Sequence, residues 1–350
     1  MERQQKFNFD FIGNRMTAFV VSIVLIVLGI GSVIVKGGLN FGIDFVGGTL
    51  VEVKFTDTTD IDAVRKAIAD AGFANASIQR LGEENVFLIR VQLTKGSATE
   101  SGEDEGKKIT AALSAKFGDN SFETNRIEQI GPQVGGELWR SAQLAMLFML
   151  AGMVLYISWR FEAKFALPVA VIAVLIIGLS SWNIALTLVI ILGIAAVLAA
   201  SIYFEYHYAL AAIIALIHDV LITIGALSLT NRELTLPVVA AILTIIGYSV
   251  NDTIVVFDRI RENVRLMTKQ TPEEVLNASI NQTLSRTFLT SLTTLFVIVV
   301  LYLAGGNSIN SFAFALLVGI TIGTYSSIFV ATPILYIWNQ RVKGGIFRRA

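Results

Sequence analysis

Cysteine is absent from this 350-residue chain, which excludes disulfides, thiolate metal sites and a cysteine nucleophile. Charge is scarce as well. Asp, Glu, Lys and Arg make up only 15% of the residues, and the 27 basic side chains balance the 27 acidic ones. A neutral total with no basic excess gives no reason to expect a nucleic-acid partner. Catalytic signatures are missing too: there is no His-Glu-x-x-His pair, no Gly-x-Ser-x-Gly elbow and no Gly-rich phosphate loop with its Lys. No metal-ligand cluster or cofactor motif takes their place, so neither a metal nor a cofactor is expected.

What the chain has in quantity is apolar sequence. Its hydrophobic content is 54% and its mean hydropathy +0.67, values of a polytopic membrane protein rather than a soluble domain. Eight segments are long enough, or nearly so, to span a bilayer as helices, near 16–35, 141–160, 165–182, 184–204, 209–229, 236–257, 286–305 and 311–337. The first has no small-residue cleavage site after it and reads as a retained helix rather than a removed signal peptide.

Between the first two spans lies a polar stretch of about a hundred residues, too long for a simple loop. Strand alternation over 49–55, 76–81, 85–93 and 123–130, with helical spacing over 61–71 and 104–117, predicts the order βαββαβ of a ferredoxin-like α+β domain. Gly47-Gly48 and Gly135-Gly136 flank it and are expected to permit tight turns. Lys and Arg concentrate in alternate short connections: Arg160 and Lys164, then Arg259, Arg261, Arg265, Lys269 and Arg286, with further basic residues at both ends of the chain. The opposite short connections hold only Arg232, so both termini are expected in the cytoplasm and the α+β domain on the far side. One internal repeat is visible: Ser158-Trp-Arg-Phe-Glu-Ala-Lys-Phe-Ala-Leu167 recurs 43 residues later from Ser201 to Leu210. A duplicated helical hairpin explains it, and so does chance similarity of two membrane-exit segments.

Ionisable groups inside the apolar runs carry the functional signal. A carboxylate at a bilayer centre costs roughly 2.5–3.5 kcal/mol on insertion scales, so such a residue usually faces a partner, a wet cavity or a proton path. Asp252 lies in the 236–257 span, about 8 Å from its cytoplasmic end at roughly 1.5 Å per residue. Thr244, Tyr248, Asn251, Asp252 and Arg259 recur there at helical spacing and read as one polar stripe. Arg286 opens the next span and is the candidate cation, unless it is an interfacial anchor. Thr290 and several neighbouring hydroxyls follow it. Asp219 sits near the middle of its span beside His218, as a proton relay or as a helix-packing hydrogen bond. Adjacent residues diverge by about 100° on a helix and need not share a partner.

These residues carry a resemblance to the SecF family, membrane subunits of the bacterial SecD–SecF protein-export complex. It rests on Phe41-Gly-Ile-Asp-Phe-Val-Gly-Gly48, Ile130-Gly-Pro-Gln-Val-Gly-Gly-Glu-Leu138, Arg160-Phe-Glu, Ala215-Leu-Ile-His-Asp-Val-Leu-Ile222, the run from Ala241 to Asn263, and Thr283-Leu-Ser-Arg-Thr287. The resemblance implies a helix bundle of the resistance-nodulation-division (RND) type with a periplasmic ferredoxin-like domain. It divides the chain into a cytoplasmic N-terminus (1–15), a first helix (16–35), the periplasmic domain (36–138), a bundle of about seven helices (139–338) and a cytoplasmic tail (339–350). It further implies no enzyme activity, an inner-membrane location in the lipid bilayer, pairing with SecD, association with the SecY translocon, and preprotein substrates moved with the proton-motive force. Asp252 and Arg286 fall on the family's functional transmembrane acidic and basic positions and Asp219 on another recurrent polar one; the residues around them make Asn251, His218 and Thr290 the expected supporting groups. SecF-like chains have six spans, so two of the eight are surplus, a hairpin near 165–205. A small-molecule RND exporter and a purely structural scaffold are the alternative readings.

Overall fold

The computed structural model describes residues 8–74, 76–81, 85–91, 103–161 and 186–341. These belong to two compact units, a helical one (Met1–Asn40, Gln143–Glu233 and Pro237–Ala350) and a sheet-containing one (Phe41–Ala142 with Leu234–Leu236).

Among the described residues seven helices are long and apolar enough to cross a membrane. They are α1 (Arg15–Val35), α5 (Pro132–Phe161), α6 (Leu186–Tyr203), α7 (His207–Leu229), α8 (Leu236–Leu266), α9 (Pro272–Ala304) and a composite of α10 (Asn307–Ser326) with α11 (Thr332–Arg341). The expected span at 165–182 lies outside the described residues. Two helices start well before their apolar runs. α9 opens with a capping box, in which the Thr271 hydroxyl accepts from the Glu274 N–H and the Glu274 carboxylate from the Thr271 N–H. Pro272 occupies its first turn, where no N–H is needed. Pro132 opens α5 in the same manner. Between α10 and α11, Ser327–Ala331 widens into a π-helical turn. Pro333 follows, and its ring crowds the carbonyl four residues back while donating nothing to the ladder. The Thr332 hydroxyl bonds the Ser327 carbonyl at 3.0 Å and satisfies one of the displaced groups.

Among the described spans α7 is the most buried, and it organises its unit. α1, α6 and α10 pack on it. In lipid, helices gain little from hydrophobicity alone, so close backbone approach and interhelical hydrogen bonds decide the packing. Gly29 and Gly225 let α1 and α7 cross almost in contact: a Cβ on Gly225 would lie 2.6 Å from the Gly29 Cα. Ser32 and Ser228 share a hydrogen bond of 2.8 Å at the same crossing, and Lys36 Nζ bonds the Ser228 carbonyl. On the other side Gly319 and Gly323 bring α10 down on Ile245 and Ser249 of α8. α6, the described half of the surplus hairpin, packs against α7 and closes an apolar cleft with α5, lined by Leu147, Val154, Ile190, Val197, Ile213 and Leu216.

In the other unit, α2 (Ile43–Val46), β1 (Gly48–Phe55), α3 (Ile61–Asp70), β2 (Ser77–Leu81), β3 (Val86–Val91), α4 (Glu103–Phe117) and β4 (Phe122–Ile130) follow in chain order. The sheet is antiparallel with order β2-β3-β1-β4, the ferredoxin-like arrangement expected from the sequence. Val51, Val53 and Phe55 of β1 and Phe87 and Ile89 of β3 form one core with Val64, Ile68, Ile109 and Leu113 of the two helices. Each such buried side chain contributes about 1.5–3 kcal/mol. Leu50 and Leu88 face the other way and meet Ile43. Arg90 is buried on that side, and desolvation lowers its guanidinium to about 10 against the opposing charge of Asp44.

The glycine pairs act differently from the turn role expected of them. Gly47 does need a left-handed backbone, at φ 76°. Gly135 and Gly136 lie inside α5 instead. A Cβ on Gly135 would sit 3.0 Å from the Phe45 carbonyl, and one on Gly47 2.7 Å from the Pro132 Cα. The pairs therefore permit backbone contact between the start of the domain and its exit. Phe41 and Phe45 close the junction edge-on against Trp139, at 5.2 and 5.1 Å between ring centroids.

Candidate functional site: two buried carboxylates

Asp219 and Asp252 both end up inside the helical unit, 0% and 2% exposed. Burial of a charge is costly unless hydrogen bonds replace its water.

Asp219, on α7, is surrounded by donors. Ser249 of α8 and Ser326 of α10 donate to Oδ2 at 2.5 and 2.8 Å. His218 Nδ1 lies 2.9 Å from Oδ1. The 100° between neighbours on the helix leaves the two side chains free to diverge, yet the imidazole folds back onto the carboxylate. Its Nε2 meets Ser22 Oγ of α1 at 2.9 Å. Ser22 is in turn 3.2 Å from the Tyr325 hydroxyl, which donates to the Ala18 carbonyl at 2.8 Å. This network ties α1, α7, α8 and α10 together.

Asp252, on α8, has one hydrogen bond among the described residues, from Ser291 Oγ of α9 to Oδ2 at 3.3 Å. Thr324 of α10 is 2.7 Å from that serine oxygen. Arg286 is exposed and makes no direct bond to Asp252 among the described residues, although its charge reaches the carboxylate through space. Thr287, one turn before Ser291, is buried with its hydroxyl unpaired among the described residues.

The single polar stripe expected on this span is divided in the structure. Asp252 points inward, on the face it shares with Ser249 three residues earlier, whereas Thr244 and Asn251 are exposed. Asn251 lines a groove of about 420 Å³ between α5 and α8, with Phe148, Met149, Met153, Tyr156 and Gly247. Tyr248 donates to Thr294 at 3.2 Å, and Arg259 is held by Gln282 at 2.6 Å and Glu262 at 2.5 Å. Thr290 is exposed, and its hydroxyl returns to the Arg286 and Thr287 carbonyls of its own helix. Of the six expected site residues, then, the structure joins His218 with Asp219, leaves Arg286 near Asp252 without contact, and turns Asn251 and Thr290 outward. It adds Ser249, Ser291, Thr324 and Ser326, together with Ser22 and Tyr325. Among the described residues no group of three His, Asp or Glu side chains is arranged to hold a metal.

The chain as a whole is similar to known proteins. A family model for the protein-export membrane protein SecD/SecF, C-terminal, matches residues 109–181 and 179–341, and one for the SecD/SecF GG motif matches 32–59, the stretch with the Gly47 junction. The protein translocase subunit SecF of Calditerrivibrio nitroreducens is 39% identical over 332 residues, covering 94% of each chain. That of Desulfurispirillum indicum is 40% identical over 342 residues, covering 97% of this chain and 94% of the relative. Among solved structures, SecDF of Thermus thermophilus, a translocon-associated membrane protein, superposes with a TM-score of 0.71 at 31% identity over 97% of this chain. A second SecDF structure, the super-membrane-facing form, gives 0.58 at 30% identity. The chain spans about 40% of the SecDF length in both. With SecF relatives matched over nearly their whole length and a family model over more than half of its own, this multi-pass membrane chain belongs to the SecF protein translocase subunits of the SecD/SecF family.

Proposed function

We propose that the chain is the SecF half of a SecD–SecF assembly in the bacterial inner membrane, where it uses the proton-motive force to help preproteins leaving the SecY translocon reach the far side. Asp252 exchanges the proton and Arg286 tunes its charge. Asp219 with His218 shapes the route, while Asn251 and Thr290 stand at its margin. The 36–138 domain faces the periplasm, changes orientation and contacts emerging substrate, and both termini stay in the cytoplasm. No covalent step and no cofactor is needed, because moving protein and protons breaks no bond in the substrate.

The observation that supports this reading most is the environment of Asp252, a carboxylate buried in a span-length helix with a single long hydrogen bond among the described residues. A structural charge at that depth needs several fixed partners, and a group that gains and loses a proton does better with few. The Lys and Arg bias of the short connections supports the orientation. The share of the SecDF length that this chain covers supports a need for SecD.

The test uses Asp252→Asn in the chain assembled with SecD in membrane vesicles. Export that responds to an imposed proton gradient in the parent should lose that response in the variant. Undiminished gradient-dependent export by a correctly assembled variant would overturn the reading.

A further inference from the structure

Thr324 has no task in the function proposed above, although its position is specific. Its Oγ1 lies 2.7 Å from Ser291 Oγ and 2.8 Å from the Ile320 carbonyl of its own helix. A hydroxyl carries one hydrogen, so Thr324 can donate to only one of these oxygens at a time. Ser291 has the same constraint, between Thr324 on one side and Asp252 on the other. Carboxylate, serine, threonine and carbonyl thus form a line with two permitted directions.

When Asp252 is ionised, Thr324 donates to Ser291 and Ser291 donates to the carboxylate. When Asp252 is protonated, its O–H donates to Ser291, Ser291 to Thr324, and Thr324 to the Ile320 carbonyl. Each hydroxyl keeps one hydrogen in both states, and the only proton gained or lost is the one on Asp252. We propose that Thr324 is a positioning residue whose hydroxyl reverses between Ser291 and the Ile320 carbonyl whenever Asp252 changes protonation, so that α10 registers the state of α8. The proposal rests on the proton exchange assigned to Asp252.

α10 is suited to that role because it touches both carboxylate sites. Gly319 and Gly323 seat it against α8, and Ser326, two residues after Thr324, donates to Asp219. It contributes no charged side chain, and its titratable group, Tyr325, bonds the Ala18 carbonyl. The other ionisable groups around Asp252 lie on other helices or farther along its own. On α9 there is Arg286, and on α7 His218 and Asp219, reached through Ser249. On α8, Asp258 is paired with Arg160 of α5 at 2.8 Å, and Arg259 with Glu262.

The experiment is infrared difference spectroscopy of the complex with SecD in liposomes, recording the carbonyl stretch of protonated Asp252, assigned by its loss in Asp252→Asn. Thr324→Val should move that band to higher frequency, because Ser291 loses its onward acceptor and binds the carboxyl less strongly. Thr324→Ser should restore it. In a Ser291→Ala background, which breaks the line at its first step, Thr324→Val should cause no further change. An unmoved band in Thr324→Val, or an equal shift with Ala at position 291, overturns the relay, since a packing role would act without Ser291. Absence of any band that Asp252→Asn removes would instead overturn the proton exchange itself, and the relay with it.

Discussion

Asp219 and Asp252 are alike in chemistry and burial and unlike in company. Asp219 receives three polar contacts, from its own helix and two others, at 2.5–2.9 Å. Asp252 receives one among the described residues, at 3.3 Å. Interhelical hydrogen bonds in membranes average only about 0.6 kcal/mol each, so one of them offsets little of the cost of a charge at depth, whereas three converging on one carboxylate fix its place. The contrast separates a carboxylate fixed between helices from one held by a single long bond among the described residues.

Several substitutions break or sharpen this contrast. The largest expected effect is that of Asp219→Ala, which leaves two serines and an imidazole facing a void. A destabilisation of about 3–5 kcal/mol is expected, seen as early thermal unfolding of the detergent-solubilised chain. Asp252→Asn should cost less than about 1.5 kcal/mol in the same assay. Equal losses in the two variants would abolish the contrast. Next comes Gly225→Ala, whose new methyl group meets the Gly29 backbone. A cost of about 1–3 kcal/mol is expected as α1 is pushed from α7 and Ser22 from His218, whereas Gly152→Ala, which meets open space, should be neutral. A native Tm for Gly225→Ala would show that the crossing is dispensable.

Ser326→Ala removes one donor of three and should cost about 1–2 kcal/mol, with Asp219 still held by Ser249 and His218. If it destabilises as much as Asp219→Ala, the partners act as one unit rather than separately. The smallest effect lies at the N-terminal segment. The Gly13 N–H, Asn277 and Arg15 hold the exposed Asp10 carboxyl below the ordinary carboxylate range. Its contribution to stability is therefore complete above the unfolded-state pKa, near 4, and is lost as pH falls through the lowered folded value. Asp10→Asn should remove that acid-dependent component, read as proteolytic release of residues 8–14 across the same pH range. Identical release profiles in parent and variant would rule it out.

The sequence made the architecture legible wherever one dimension suffices. A carboxylate in an apolar run and an alternating strand are local signals, which is why the burial of Asp252 and Asp219 and the four-stranded order were readable. Partnership between helices is not local. Ser249, Thr324 and Ser326 are ordinary hydroxyls in a chain rich in them, and only the fold brings them to Asp219 and Ser291. That Thr290 and Asn251 turn outward was hidden for the same reason, since helical proximity in sequence says nothing of which face turns inward. One clue was available for Ser249: at three residues before Asp252 it shares that residue's face. The Gly135 pair showed the opposite error, because a glycine doublet signals a turn far more often than a backbone contact inside a helix.

The π-helical turn at Ser327–Ala331 is, in effect, a helix carrying one residue more than its α-helical path needs. Removing one residue there would regularise the helix rather than cut it, and would leave α11 facing as it does, because the wide turn already absorbs the surplus residue. Tyr336, which meets Glu273 and lies under Arg15, would keep both neighbours. Natural variation in length inside this span is accordingly expected at these five positions, with no compensating change at position 336.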